Sequence, residues 1–333
     1  MEYLNLGTSG LKISKLVYGS WRTTVGENAE KRSIECHNKA LELGINFFDT
    51  ANVYNAGQAE EVVGKFMAEH KRSEIVVATK CRGNMGGSPT ESGLSKKHII
   101  EACEASLNRL QADHIDLYQA HSEDESVPLR ETLSAFNQLI RQGKILHWGV
   151  SNWSGTTMAE AKDICHQEGW EFLISNQPKY NMFFTHPVET NVQPFCKKNN
   201  IGMIVYSPLN QGILTDKYRE NIIPENSRAF SDNPKLKDDI SQEYNQYALK
   251  ELYLLADKLQ RPLSHIALQW LFSKDAVAAP IIGATSPEQL TENVNALEKD
   301  LDENTLKEID KILAIRKSII MEEDAKRLRK ENE

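Results

Sequence analysis

The chain has 333 residues, 39 Lys+Arg against 47 Asp+Glu for a formal net charge of -8, with 40% hydrophobic and 26% charged residues, the composition of an ordinary globular protein. An acidic balance without a dense Lys/Arg stretch excludes a nucleic-acid binder, whose phosphate contacts need a concentrated basic face, and no apolar run approaches the ~20 residues that span a bilayer. The length accommodates two average domains or one large α/β barrel.

Residues 3–6 and 11–14 flank Gly7-Thr8-Ser9-Gly10, a hairpin signal, placed to close the bottom of a barrel. Eight short β-branched or aromatic runs then recur, at 15–19, 46–50, 75–80, 115–121, 145–151, 173–177, 202–207 and 278–283. Several are almost continuously apolar, as parallel strands buried on both faces require, and longer segments with helical spacing separate them. Three such segments mark their own ends: 30–43 before Gly44, 95–110 opening on Ser95, and 128–141 opening on Pro128 and stopping at Gly143. Eight βα units predict a closed (β/α)8 TIM barrel, with residues 1–333 as a single domain.

The strand ends recur at similar intervals from Gly19 to Tyr206, but Gly283 comes much later. The surplus holds a segment rich in Asn, Pro, Ser and Arg at 210–239, before helical spacing resumes at 244–259 and 262–272. An insertion of that length after strand seven is expected to act as a clasp over the reactive face. Residues 315–333 are increasingly charged and predict a C-terminal extension that is either a solvated helix or a frayed tail. Cys36, Cys81, Cys103, Cys165 and Cys196 are scattered and form no Cys-x-x-Cys pair, which points to a reducing compartment. With no signal-peptide pattern at the start, a cytoplasmic location is expected.

In a (β/α)8 barrel the reactive face lies at the C-terminal ends of the strands. Strands two, three and four end in Asp49, Lys80 and His121, with Tyr54 five residues past the aspartate. A carboxylate beside the ammonium keeps Lys80 charged, and that charge favours the Tyr54 phenolate. His121 is then left to orient a carbonyl. The set is suited to protonating an oxygen while a nucleophile attacks its carbon, and with no activated Ser or Cys evident the natural nucleophile is hydride. An Asp–Lys pair can be a plain structural ion pair, but four such residue types converging favour catalysis. The run His121-Ser122-Glu123-Asp124 superficially offers metal ligands. No His-x-His stands on the first strand, and the lysine would repel a cation, so no metal is expected.

Phe47-Phe48-Asp49-Thr50-Ala51 with Tyr54, Ala78-Thr79-Lys80, Asp116-Leu117-Tyr118-Gln119 with His121, and Gly149-Val150-Ser151-Asn152 resemble the aldo-keto reductase superfamily. Ser207-Pro208-Leu209 with Gly212, Gly283-Ala284-Thr285, and Gln289 with Glu292-Asn293 resemble most closely its bacterial and potassium-channel β-subunit-type branches. The resemblance implies NADP(H) on the open face of the barrel, with NAD(H) the lesser alternative, and it agrees with the absence of the Gly-rich motif of dinucleotide-binding βαβ folds. It assigns Ser151, Asn152 and Gln177 to the nicotinamide carboxamide and Tyr206, where the channel-subunit branch has tryptophan, to stacking on the ring. Ser207, Leu209 and Gly212, with Pro208 and Gln211 between them, go to the pyrophosphate. Lys217 and Arg228 fall in the clasp, and Gly283, Thr285, Gln289, Glu292 and Asn293 go to the adenosine end. Gly19, Trp21 and Asp49 complete the cofactor set. Trp21, Tyr54, His121, Phe183 and Phe184 are the expected walls of the substrate pocket.

Two activities are compatible with these residues. One is NADPH-dependent reduction of aldehydes and ketones, with Tyr54 as proton donor. The other is an NADP(H)-binding, redox-sensing regulatory subunit with slow turnover. The expected partners are a small carbonyl substrate and further copies of the chain, with neither nucleic acid nor membrane.

Overall fold

The computed structural model describes residues 1–333 except 27, 226, 232, 332 and 333, so two positions of the predicted insertion, 226 and 232, and two of the predicted tail, 332 and 333, lie outside the described residues. The strands are β1 Tyr3–Asn5, β2 Lys12–Ser14, β3 Val17–Gly19, β4 Phe47–Asp49, β5 Val76–Cys81, β6 Ile115–Ala120, β7 Ile145–Ser151, β8 Ser175–Gln177, β9 Gly202–Val205 and β10 Val277–Ile282. The helices are α1 Ala29–Glu42, α2 Gln58–Ala68, α3 Lys96–Leu110, α4 Leu129–Arg141, α5 Gly155–Glu168, α6 Gln193–Asn199, α7 Arg228–Ser231, α8 Pro234–Ser241, α9 Glu243–Leu259, α10 Leu263–Phe272, α11 Pro287–Asn295 and α12 Glu303–Glu331. They fall into two compact units: Met1–Tyr180, Thr185–Tyr206 and Lys274–Val294 in the first, and Asn181–Phe184, Ser207–Ser273 and Asn295–Glu333 in the second.

In the first unit β3 to β10 pair in parallel and close as a barrel in the order β10-β3-β4-β5-β6-β7-β8-β9, the eight strands expected from the apolar runs. Helical periodicity translates directly into burial. In α3 the buried side chains include Ile99, Ala102, Cys103, Ser106, Leu107 and Leu110, and the Ser95 hydroxyl caps the helix by accepting from His98 N at 3.2 Å. Ser154 caps α5 in the same way, from Thr157 N at 3.0 Å.

The hairpin closes the bottom of the barrel. β1 and β2 are antiparallel with Leu4 opposite Ile13, and Leu6 and Ile13 are fully buried among Val17, Phe47, Ala78, Leu117, Ile174, Ile204 and Ala279. Gly7 makes the close approach that this plug needs. It has φ +57, and a Cβ there would lie 2.2 Å from the Ile174 carbonyl oxygen. Gly7→Ala is therefore expected to cost about 1–3 kcal/mol, read as a lower urea midpoint, and an unchanged midpoint would refute the close approach.

Between α1 and the strands, His37 is fully buried, stacked on Phe48 at 5.6 Å and edge-on to Tyr18 at 4.8 Å between ring centroids. Burial depresses its pKa from 6.5 to about 4. The folded state thus refuses a proton that the unfolded chain accepts below 6.5. The contribution of His37 to stability is whole above that pH and is lost as the pH falls toward 4, by about 1.4 kcal/mol per pH unit. Urea titrations at pH 7 and pH 5 should show a smaller acid loss in His37→Gln than in the wild type; equal losses would contradict the assignment.

The second unit differs from the sequence expectation in its first part. The segment 210–239, which shows no helical spacing in the sequence, contains the turns Asn210–Gly212 and Asp216–Asn221, helix α7 and most of α8. Thr215 starts the second turn by accepting from Lys217 N at 3.2 Å, and a proline opens α8. These helical pieces are too short for periodicity to reveal. Farther along, α9 and α12 pack together, bridged by Lys258–Glu308 at 2.9 Å. Of the two forms expected for the charged extension the structure has the helix, with Ile309 and Ile312 buried. Among the described residues no helix is long and apolar enough to cross a membrane, and all five cysteines are buried and unbridged.

Candidate active site

The barrel's register explains how the strand ends meet. Asp49 pairs with Ala78 on the neighbouring strand, so Lys80 lies two residues farther up on the same face, and its long side chain reaches back. The fully buried Nζ donates to Asp49 Oδ1 at 2.6 Å, to the Thr50 carbonyl at 2.7 Å and to Tyr54 Oη at 3.3 Å. The other carboxylate oxygen, Oδ2, accepts from Gln177 Nε2 at 2.9 Å and from Gln119 Nε2 at 3.4 Å. Tyr54 stands in a short turn whose next two residues, Asn55 and Ala56, have left-handed backbones. This turn folds the phenol over the strand ends. β6 ends at Ala120, one residue before His121, whose amide donates to the Cys81 carbonyl at 2.9 Å, and the imidazole meets the Tyr54 ring edge-on at 5.7 Å.

The electrostatics depart from the simple expectation at the tyrosine. Burial raises the Tyr54 pKa above its ordinary value, and the opposing charge of Lys80 does not overcome it, so Tyr54 enters neutral solution as a phenol. Burial alone would pull Lys80 down, but the charge of Asp49, the interaction with Tyr54 and the hydrogen bonds to both outweigh it and leave the lysine above its ordinary value. His121 is pushed down to about 3, first by burial and then by Lys80 and Arg82. A donor phenol, a fixed ammonium and a neutral imidazole thus face one point, which is what protonating a carbonyl oxygen requires.

Beside them lies a face of amides and one aromatic ring. Ser151 Oγ donates to the Gln177 carbonyl at 2.8 Å and accepts from Asn152 Nδ2 at 3.0 Å. Asn152 has φ +56 and its Oδ1 accepts from Lys179 N at 3.3 Å. Tyr206 is hydrogen-bonded to Asn152, with its pKa raised by burial. At the end of β10, Gly283 opens onto unfilled space, and Thr285 donates through both N and Oγ1 to Gln289 Oε1 at 3.0 Å, just before and within α11. Asn293 is buried, and Glu292 is exposed on the same helix. Gly19 is buried against Ile281, and Trp21 is 48% exposed. Neutral amides beside an aromatic ring, and a helix N-terminus with hydroxyl and amide side chains, are chemically matched to a nicotinamide carboxamide and to a phosphorylated adenosine, so the residues present fit a dinucleotide.

The remaining assigned residues belong to the second unit. There Ser207 and Gln211 have left-handed backbones at φ +53 and +58, Gly212 has φ +102, and Pro208 and Leu209 lie between. Asn181 Nδ2 donates to the Ser207 carbonyl at 2.9 Å. Lys217 is exposed, and Arg228, partly buried, opens α7. Phe183 lies under the Arg316 guanidinium at 4.3 Å, a cation–π contact that sequence reasoning did not anticipate, and Phe184 is 37% exposed.

Sequence reasoning also missed Gln119 as a partner of Asp49. Its signal was present: a polar residue one position before the C-terminal end of an otherwise largely apolar strand, the end where a barrel places its reactive face. Gln177, which the resemblance assigns to a carboxamide, also donates from Nε2 to Asp49 Oδ2 at 2.9 Å.

A sequence profile described as the Aldo/keto reductase family matches residues 15–314. The chain is 38% identical over 306 residues, 90% of its length and 92% of the relative's, to a protein of Arabidopsis thaliana named probable voltage-gated potassium channel subunit beta. A protein of the same name from Oryza sativa subsp. japonica is 37% identical over 306 residues, with the same coverage. One of Schizosaccharomyces pombe, named putative voltage-gated potassium channel subunit beta, is 38% identical over 317 residues, 92% of each chain.

Proposed function

We propose that this chain, which belongs to the aldo/keto reductase family, is an NADP(H)-binding subunit that reports the redox state of its dinucleotide to a protein partner and reduces aldehydes and ketones slowly. The observation that carries the reading is the match, end to end across the barrel, to relatives named as channel β subunits. When bound, a reduced nicotinamide supplies the hydride. Tyr54 Oη gives its proton to the carbonyl oxygen, Lys80 stabilises the phenolate left behind, and Asp49 holds the lysine in place. Neutral His121 orients the carbonyl. In the first unit Gly19, Trp21, Asp49, Ser151, Asn152, Gln177 and Tyr206 are proposed to hold the nicotinamide half, with Gly283, Thr285, Gln289, Glu292 and Asn293 at the adenosine end. In the second, Ser207, Pro208, Leu209, Gln211, Gly212, Lys217 and Arg228 are proposed phosphate-binding positions, and Phe183 and Phe184 proposed substrate contacts. Preference for NADPH over NADH rests on Lys217, Arg228, Thr285 and Gln289 together.

A second reading, a freely turning-over NADPH-dependent carbonyl reductase, is favoured by the complete set Asp49, Tyr54, Lys80 and His121 and its hydrogen bonds. Mixing NADPH-loaded protein with a panel of aldehydes separates the two. A regulatory subunit oxidises its cofactor at less than about 1 per second and keeps it through gel filtration. Sustained turnover at tens per second or more makes it an ordinary reductase instead.

A further inference from the structure

Past Lys80 and Cys81 the chain places an arginine on a strained backbone. Arg82 has φ +136, a region uncommon for a bulky residue and retained mostly where a site requires it. Its carbonyl accepts from Gly93 N at 2.8 Å, and its Nε donates to the Glu123 carbonyl at 2.8 Å. The half-buried side chain is thereby held across the segment after His121.

A guanidinium carries five N–H donors, and here one is spent on a backbone oxygen. Among the described residues the rest have no hydrogen-bond or ion-pair partner. The acids nearby take their hydrogen bonds from other donors: Glu123 Oε1 accepts from Ser154 N at 2.6 Å, while Asp124 accepts from Leu94 N at 2.8 Å through Oδ2 and from Ser126 N at 3.2 Å and Oγ at 2.6 Å through Oδ1, and the Arg82 charge reaches Asp124 only at long range, adding to the hydrogen bonds that lower its pKa. The charge of Arg82 is felt at His121, and it adds to the burial and the Lys80 charge that hold the imidazole down. On a chain of net charge -8, an anionic substrate needs such a local cation.

We propose that Arg82 is a specificity-determining residue that binds the oxyanion, carboxylate or phosphate, of a short carbonyl substrate, so that the preferred substrates are anionic aldehydes and ketones. Arg82 follows Lys80 by two residues, which keeps the oxyanion near the carbonyl and calls for a short substrate. This rests on the carbonyl chemistry proposed above.

The test is single-turnover oxidation of the NADPH-loaded protein by matched pairs: succinic semialdehyde against its methyl ester, and glyceraldehyde 3-phosphate against glyceraldehyde. In the wild type the anionic member of at least one pair should react faster at low concentration, and that pair names the oxyanion. In Arg82→Met the anionic-to-neutral rate ratio should fall about 10- to 100-fold, mainly through substrate affinity, with Arg82→Lys recovering part. A ratio unmoved by the substitution, or no anionic preference in the wild type, overturns the proposal. If the wild type reduces none of the four, the carbonyl chemistry fails separately. Calorimetric titration of the NADP⁺-loaded protein with succinate and glycerol phosphate then decides: weaker binding by Arg82→Met supports the oxyanion site, and equal binding overturns it.

Discussion

Tyr54→Phe is expected to lower the single-turnover rate of carbonyl reduction by about a thousandfold or more, the scale of a lost general acid, while changing NADP(H) affinity by less than about twofold. The substitution deletes one oxygen, which accepts from Lys80 Nζ at 3.3 Å, and leaves the ring that meets His121 edge-on. The donor has no obvious understudy. His121, depressed to about 3, carries no ionisable proton at neutral pH, and Lys80 is tied to Asp49 and the Thr50 carbonyl. Because burial keeps the Tyr54 pKa above its ordinary value, the wild-type rate should hold level from pH 6 to 8 and fall only in alkali, as the phenol loses its proton. Stopped-flow oxidation of bound NADPH reads both effects. A variant that reduces aldehydes as fast as the wild type removes the proposed chemistry.

Arg109→Leu is expected to destabilise the fold by about 3–5 kcal/mol, the cost of leaving a buried charge without its partner. Glu60 on α2 is fully buried, accepting from Arg109 Nε at 2.7 Å and from Thr79 Oγ1 at 2.5 Å. Arg109 lies on α3, and Thr79 immediately precedes Lys80, so one carboxylate ties two helices to the strand that carries the lysine. The double variant Glu60→Leu with Arg109→Leu should recover much of the loss, since replacing both partners of a buried pair by apolar residues can be nearly neutral. Urea midpoints of the two variants make the comparison. A single variant that loses less than about 1 kcal/mol would show that Glu60 is not held in the way the structure describes.

Much of the barrel was legible because its signals are local. Continuous apolar runs such as Ile75-Val76-Val77-Ala78 read as buried strands, and Ser95, Gly44 and Pro128 punctuate helices by chemistry that acts within a turn. The convergence of Asp49, Lys80 and His121 followed from strand order alone. What stayed hidden depends on three-dimensional neighbours. The net pKa of Tyr54 is decided by burial, which one adjacent cation cannot reveal. Gln119 and Gln177 turn toward Asp49 only because the register sets β6 and β8 around β4. The Arg109–Glu60–Thr79 link spans three elements distant in sequence, and the short helices of 210–239 carry too few turns for a periodic pattern.

The most direct measurement uses NADPH deuterated on the transferring face of its nicotinamide, loaded onto the protein and mixed with an aldehyde, with the alcohol analysed by mass spectrometry. One deuterium on the carbinol carbon is the expected result for the wild type, with no labelled alcohol from Tyr54→Phe over the same time although its cofactor remains bound. An alcohol without deuterium, or no alcohol at all from wild-type protein that holds NADPH, would contradict a barrel built to deliver hydride and proton to one carbonyl.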